Sequence, residues 1–245
     1  MELFDVYPLY DITPVKGKGA YVFDKEGRKY LDLYGGHAVI SIGHSHPAYV
    51  NAISKQVGEL GFYSNSVKNP LQQELADKLE KLSGVKNYSL FLCNSGAEAN
   101  ENALKVASFH TGKDRVVYFE KAFHGRTSGV VAVTDNENIQ APFNQNHNAT
   151  KLKFEDAEAL EKELEKGDVA AVILEVIQGV GGLDEASTEF DQTTSELCEK
   201  SRSVWIAAEV QSDYCRSGDF FVFQKHILRT SINFIAKGMG NGFRI

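Results

Sequence analysis

Apolar and polar positions alternate with period two over 21–24 and again over 30–33, with Lys25-Glu26-Gly27-Arg28 between them. That pattern predicts a β-hairpin closed by a glycine-bearing turn. A glycine- and histidine-rich stretch, 35–47, follows. Apolar residues then recur every three or four positions, predicting helices over 48–60 and 70–82, with Pro70 suited to a first helical turn. From there the pattern switches repeatedly between the two periods. Strands are expected at 88–93, 115–119, 129–133, 169–175, 204–209 and 232–236, and helices at 97–110, 156–165 and 188–200. Apolar strands separated by amphipathic helices predict an α/β fold whose mostly parallel sheet is covered by helices on both faces. No internal repeat or low-complexity segment interrupts it.

Composition narrows the possibilities. The 245 residues are 42% hydrophobic, enough for a real core, and 33 acidic against 26 basic side chains leave a net charge of −7. No basic footprint for nucleic acid is present. No apolar run approaches the roughly 20 residues of a membrane helix, and the acidic start MELFD is unlike a signal peptide, so a cytoplasmic protein is expected. Cys93, Cys198 and Cys215 have no CxxC spacing, which points to neither a disulfide framework nor a zinc site, and no metal is expected.

Sheets of this kind bind ligands beyond the carboxyl ends of their strands, so chemistry is sought there. After 88–93 comes Asn94-Ser95-Gly96-Ala97-Glu98-Ala99-Asn100, a turn of small residues opening a helix. Its free amides suit a phosphate, and Ser95 with Glu98 equally suits an ordinary capping box. It has neither GxxxxGK[ST] nor GxGxxG spacing, which argues against nucleotide and dinucleotide sites. After 115–119 a polar loop carries Phe123 and Arg126. The ring can stack on a planar ligand or join the core, and the guanidinium can hold a carboxylate or stay solvated. Glu175 ends a strand before Gln178-Gly179-Val180-Gly181-Gly182, and Glu209-Val210-Gln211 ends another. Lys237 follows a strand and precedes Gly238, Gly240 and Gly242, where a lysine desolvated in a cleft can lose its proton and attack an aldehyde.

Taken in order, strand-SGAEAN-helix, AFHGRT, E-x-x-QG-x-GG, EVQ-x-x-x-x-RSG and AKGMGNGF resemble the class III, fold-type-I pyridoxal-phosphate aminotransferases over the whole chain. The stretches YLDLYGGHAVISIGHSHP and GFYSNS are similar to acetylornithine and succinylornithine aminotransferases in particular. The resemblance implies that 1–47 is the N-terminal part of a small α+β domain and 48–245 the cofactor-binding large domain, truncated after the lysine loop. It implies that Ser95, Gly96 and Ala97 bind the phosphate of pyridoxal 5'-phosphate, that Phe123 stacks on its ring, and that Gln211 lies beside its phenolic oxygen. Arg126 would hold the substrate α-carboxylate, Glu175 would support the substrate side of the site, and Lys237 would bond covalently to the cofactor and shuttle the proton. The implied reaction moves the δ-amino group of N-acetylornithine or N-succinylornithine to 2-oxoglutarate, a step of arginine biosynthesis, in a homodimer. Relatives acting on ornithine or 4-aminobutyrate share these motifs, and a catalytically inactive cofactor-binding remnant is a further reading.

The chain also departs from the family. Ala208 stands where the family carries the aspartate that pairs with the cofactor's ring nitrogen, and Glu209, one residue on, is expected to face the opposite way. Ser201-Arg202-Ser203, Asp213 and Cys215 replace the family's glycine-rich text, Val176 replaces its proline, and Val180 stands where many relatives have glutamate. Family chains continue well past the position of Ile245, through the last strands of the large domain, a phosphate-binding threonine and a second carboxylate-binding arginine. Uncovered apolar surface and aggregation are therefore expected.

Overall fold

A computed structural model describes residues 1–4, 6–226 and 230–243. The chain forms two compact units, Met1–Lys68 and Asn69–Ile245.

The first unit is built on an antiparallel sheet of β1 (Pro14–Lys18), β2 (Tyr21–Asp24) and β3 (Lys29–Leu31), in that order. The expected hairpin is β2–β3, and its turn is tied by one buried carboxylate. Asp24 Oδ1 accepts the amides of Glu26 at 3.0 Å and Arg28 at 2.8 Å, and Oδ2 accepts the Tyr30 hydroxyl at 2.8 Å. β1 has no apolar alternation to announce it; its Gly17 gives room to the His44 ring, which a Cβ there would meet at 2.7 Å. A short turn, α1 (Gly35–Ala38), leads to α2 (Pro47–Leu60), which has its proline in the first turn as the sequence requires.

The second unit opens with α3 (Pro70–Ser83) and α4 (Gly96–Thr111), followed by β4 (Arg115–Phe119) and α5 (Ser128–Ala132). It continues through β5 (Ala149–Leu152), α6 (Ala157–Leu164), β6 (Val169–Leu174) and α7 (Thr188–Ser201). It closes with β7 (Val204–Ala208), α8 (Val222–His226), β8 (Ile232–Phe234) and α9 (Lys237–Gly240). The five strands form one wholly parallel sheet in the order β5-β4-β6-β7-β8. Alternate residues of each strand feed opposite faces. Val117, Phe119, Val172, Leu174 and Trp205 pack with Leu160, Leu164 and Phe190 of α6 and α7. Tyr118, Ala171, Ile173, Ile206 and Ala208 pack with Ala103, Ala107 and Val130 of α4 and α5. The expected sheet covered on both faces is what forms.

Two expected strands are not strands. Residues 88–93 run without a ladder partner among the described residues, because the sheet's edge is β8 and no described strand lies alongside them. Phe91 is 68% exposed there, so the apolar pattern that predicts a buried strand is left partly uncovered. The segment, α4 and β8 line a groove of about 740 Å³. The second, 129–133, is helical in α5 although its valines favour a strand. Glu101 decides this: its Oε1 accepts the amides of Gly129 at 2.7 Å and Val130 at 3.3 Å, placing a carboxylate at the helix start. The edge strand β5, whose ATKL text has little alternation, gives no signal in the sequence. No helix among the described residues is long and apolar enough to cross a membrane.

Candidate functional site

Strand order sets where a site can form. From β4 the chain crosses to β5 on one side and then to β6 on the other, so the loops leaving β4 and β6 diverge and open a crevice at the carboxyl ends. Glu175, directly after β6, spans it. Its Oε1 accepts the Phe123 amide at 2.8 Å and its Oε2 the Gly179 amide at 3.2 Å, and Gln178 Nε2 donates to the Glu120 carbonyl at 2.8 Å.

Glycines then draw the remaining elements together, each where a side chain would crowd its neighbours. A Cβ on Gly125 would lie 2.8 Å from both Ala97 Cβ and Val130 Cγ2, so the loop bearing Phe123 and Arg126 sits against the start of α4. A Cβ on Gly96 would lie 3.1 Å from Val210 and 3.4 Å from Ala236. On Gly179 it would lie 2.8 Å from the Gln211 amide group, and on Gly238 2.8 Å from Tyr214 Cβ. These close approaches assemble the α4 start, the β6 loop, the β7 end and the lysine loop into one constellation.

Within it Lys237 Nζ donates to Gln211 Oε1 at 2.5 Å. Burial holds the Lys237 amine below the ordinary lysine range; Glu175 and Asp213 oppose that shift and Arg216 adds to it. Burial likewise pushes Glu175 up to about 7, although the Phe123 and Gly179 amides and the charge of Lys237 pull it down. A half-buried amine with a reduced hold on its proton, beside a carboxyl that titrates near neutrality, is equipped for nucleophilic and proton-transfer chemistry.

At the α4 start both sequence readings meet. Ser95 Oγ accepts the Glu98 amide at 3.2 Å and Glu98 Oε2 accepts the Asn94 amide at 2.6 Å, so the cap is built. The amides of Gly96 and Ala97, in the first turn of a 16-residue helix, have no acceptor inside that helix and remain suited to an anion. Phe123 is half-buried and Arg126 is exposed in the adjoining loop. Ala208 faces the α4 side, whereas Glu209 turns away and accepts the amides of Val222 at 2.6 Å and Phe223 at 3.1 Å, as the alternation of strand side chains requires.

Motif reading did not place Asp213 or Ser212 in the site. Both are buried, and neither Asp213 carboxylate oxygen nor Ser212 Oγ has a hydrogen-bond partner. The signal available in the sequence was the acid itself, interrupting a turn two residues past Gln211. No group of three or more residues suited to hold a metal occurs among the described residues.

The chain is 39% identical over 244 residues to the acetylornithine aminotransferase of Bacillus subtilis, an alignment that takes in 99% of this chain and 63% of that protein. It therefore spans less than two thirds of that relative's length. Among solved structures it resembles N-acetylornithine aminotransferase from Stenotrophomonas maltophilia, with a TM-score of 0.83 and 33% identity over 97% of this chain and 61% of the other. It also resembles ornithine aminotransferase from Toxoplasma gondii, with a TM-score of 0.87 and 26% identity over 94% of this chain and 56% of the other. The family model described as class-III aminotransferase matches residues 6–245. With that match across nearly every residue, the chain belongs to the class-III aminotransferase family.

Proposed function

We propose that this chain is the cofactor-binding part of a pyridoxal-phosphate aminotransferase that takes the δ-amino group of N-acetylornithine or N-succinylornithine and delivers it to 2-oxoglutarate. The observation that carries the reading is the meeting of Lys237, Gln211 and Glu175 beside the α4 start. The residues present fit the cofactor. The Gly96 and Ala97 amides, with Ser95, would take its phosphate, Phe123 and Val210 would flank its ring, Gln211 would sit by its phenolic oxygen, and Lys237 would hold it covalently. When bound, pyridoxal phosphate supplies an electron sink for the charge left at the substrate carbon.

The chain's own groups do the rest. Burial prepares the Lys237 amine to be neutral and nucleophilic, and Gln211 Oε1 orients it by accepting a hydrogen bond from Nζ. Lys237 Nζ would take a proton from the substrate carbon and return it. Arg126 offers the fork for a substrate carboxylate, and Glu175, pinned by two backbone amides, fixes the crevice wall against which the substrate rests.

Higher identity to acetylornithine enzymes than to the ornithine enzyme supports the acylated donor, in which only the δ-amine is free to react. The same resemblance supports a place in arginine biosynthesis, a homodimeric assembly and a cytoplasmic setting. Ala208 favours a second reading, a cofactor-binding protein without turnover.

Donor choice separates these readings. Purified chain given pyridoxal phosphate and 2-oxoglutarate is expected to form glutamate at least tenfold faster with N-acetylornithine or N-succinylornithine than with ornithine or 4-aminobutyrate. Equal or faster glutamate from the last two would overturn the assignment of donor, and none from any donor would favour the silent binder.

A further inference from the structure

Asp213, which acts on the Lys237 amine, has no task in the proposed reaction. It lies in the turn after β7, 1% exposed, where the chain bends back so that Tyr214 rests on the Gly238 backbone. That contact presses the turn against the lysine loop. The turn is costly to form: Tyr214 and Cys215 both take positive φ, 53° and 61°, without being glycine. Yet the carboxylate it carries into the interior forms no hydrogen bond through either oxygen. Buried polar groups are nearly always paired, so an unpaired acid beside a reactive lysine calls for a function.

We propose that Asp213 is a positioning residue for Lys237, setting by its own charge the pH at which that amine becomes free. Every charged neighbour takes part. Lys237 is faced by Glu175 from the β6 end, by Arg216 from the same turn as Asp213, and by Asp213 itself. Asp213 is faced by Glu209 at the β7 end and by Arg216, with the Tyr214 phenol next to it. Burial and then Glu209 push Asp213 up to about 8, while the Ala236 amide, Arg216 and its own amide pull it down.

The sign follows from these neighbours. Below about pH 8 Asp213 is protonated and neutral, and burial with Arg216 lets Lys237 release its proton early. Above that value Asp213 becomes an anion and retains the ammonium, so the remaining lysine deprotonates over a stretched range. Asp213 thus leaves release of the amine's proton unopposed below about pH 8 and damps it at higher pH.

The inference rests on Lys237 being the reactive amine, but its test needs no cofactor. Lys237 would be reductively methylated with formaldehyde and cyanoborohydride at a series of pH values, with its modification read by peptide mass spectrometry in wild-type chain, Asp213→Asn and Asp213→Glu. Asp213→Asn, which cannot ionise, is expected to give roughly three- to tenfold more Lys237 labelling at pH 8.5 and a single, steeper transition, while Asp213→Glu keeps the stretched profile. Superimposable profiles for wild type and Asp213→Asn would overturn the proposal, as would equal shifts for Asn and Glu, which would mark a purely structural role. If Asp213→Asn does not fold, Asp213→Gly, which leaves no side chain to bury, is read by the same two outcomes. Failure here with intact cofactor binding would remove Asp213's role and leave the function of the site standing.

Discussion

Gly125→Ala is expected to destabilise the Asn69–Ile245 unit by about 3 kcal/mol or more and to abolish cofactor binding with it. Gly125 has φ +137°, where an L side chain costs about 1–3 kcal/mol, and its new Cβ would press on Ala97 and Val130 at 2.8 Å, an overpacking cost of about 1–3 kcal/mol. Neither neighbour has room to give. Val130 and Ala97 belong to the core under α4 and α5, and the loop is fixed on both sides by Asn100 Nδ2 on the His124 carbonyl at 2.5 Å and Thr134 Oγ1 on the Gly125 carbonyl at 3.1 Å. Relief therefore moves the α4 start, whose amides are the proposed phosphate site. A melting midpoint lower by about 10 °C is the expected reading for a unit of this size. A variant that melts within a degree of wild type and still takes up pyridoxal phosphate would show that the close approach positions nothing.

Ala208→Asp is expected to raise glutamate formation by about ten- to a hundredfold. Ala208 is the last residue of β7 and faces the α4 side, the side on which Val210 meets Gly96. On the proposed reading an aspartate there would pair with the ring nitrogen of bound pyridoxal phosphate, and a hydrogen bond to a charged partner contributes about 1.5–3 kcal/mol, the factor expected in rate. Ala208→Asn has the same shape without the charge and serves as the control. No gain for aspartate, or an equal gain for both, would mean that the absent carboxylate does not limit this protein. Burying an acid at a position 4% exposed carries its own cost, so the melting midpoint should be followed alongside.

Most of the second unit was legible because its strands are buried on both faces and write themselves as short apolar runs, as 169–174 and 204–208 do. Three failures share one cause, that local text loses to its surroundings. Residues 88–93 carry a strand pattern but have no described strand to pair with, and GVVA reads as strand until Glu101 reaches its amides. β5 is a strand because β4 offers it an edge rather than because ATKL favours one. In the site, the motifs named Lys237, Gln211, Phe123 and Glu175, and the structure brings them to one crevice. Their spacing cannot say which glycines lock the loops together, because a glycine's role depends on what lies 3 Å away, often a hundred residues distant. Asp213 was visible as a departure, but its burial and unpaired oxygens belong to the folded chain alone.

The central claim is that this chain assembles a pyridoxal phosphate site around Lys237, and its most direct measurement is the visible absorption of purified protein titrated with the cofactor, beside Lys237→Ala. The account predicts a saturable band at one equivalent per chain in wild type, absent from Lys237→Ala and lost when the lysine amine is reductively dimethylated before titration. A band of equal strength in both proteins, or none in a wild type that is folded by its melting curve, would contradict it.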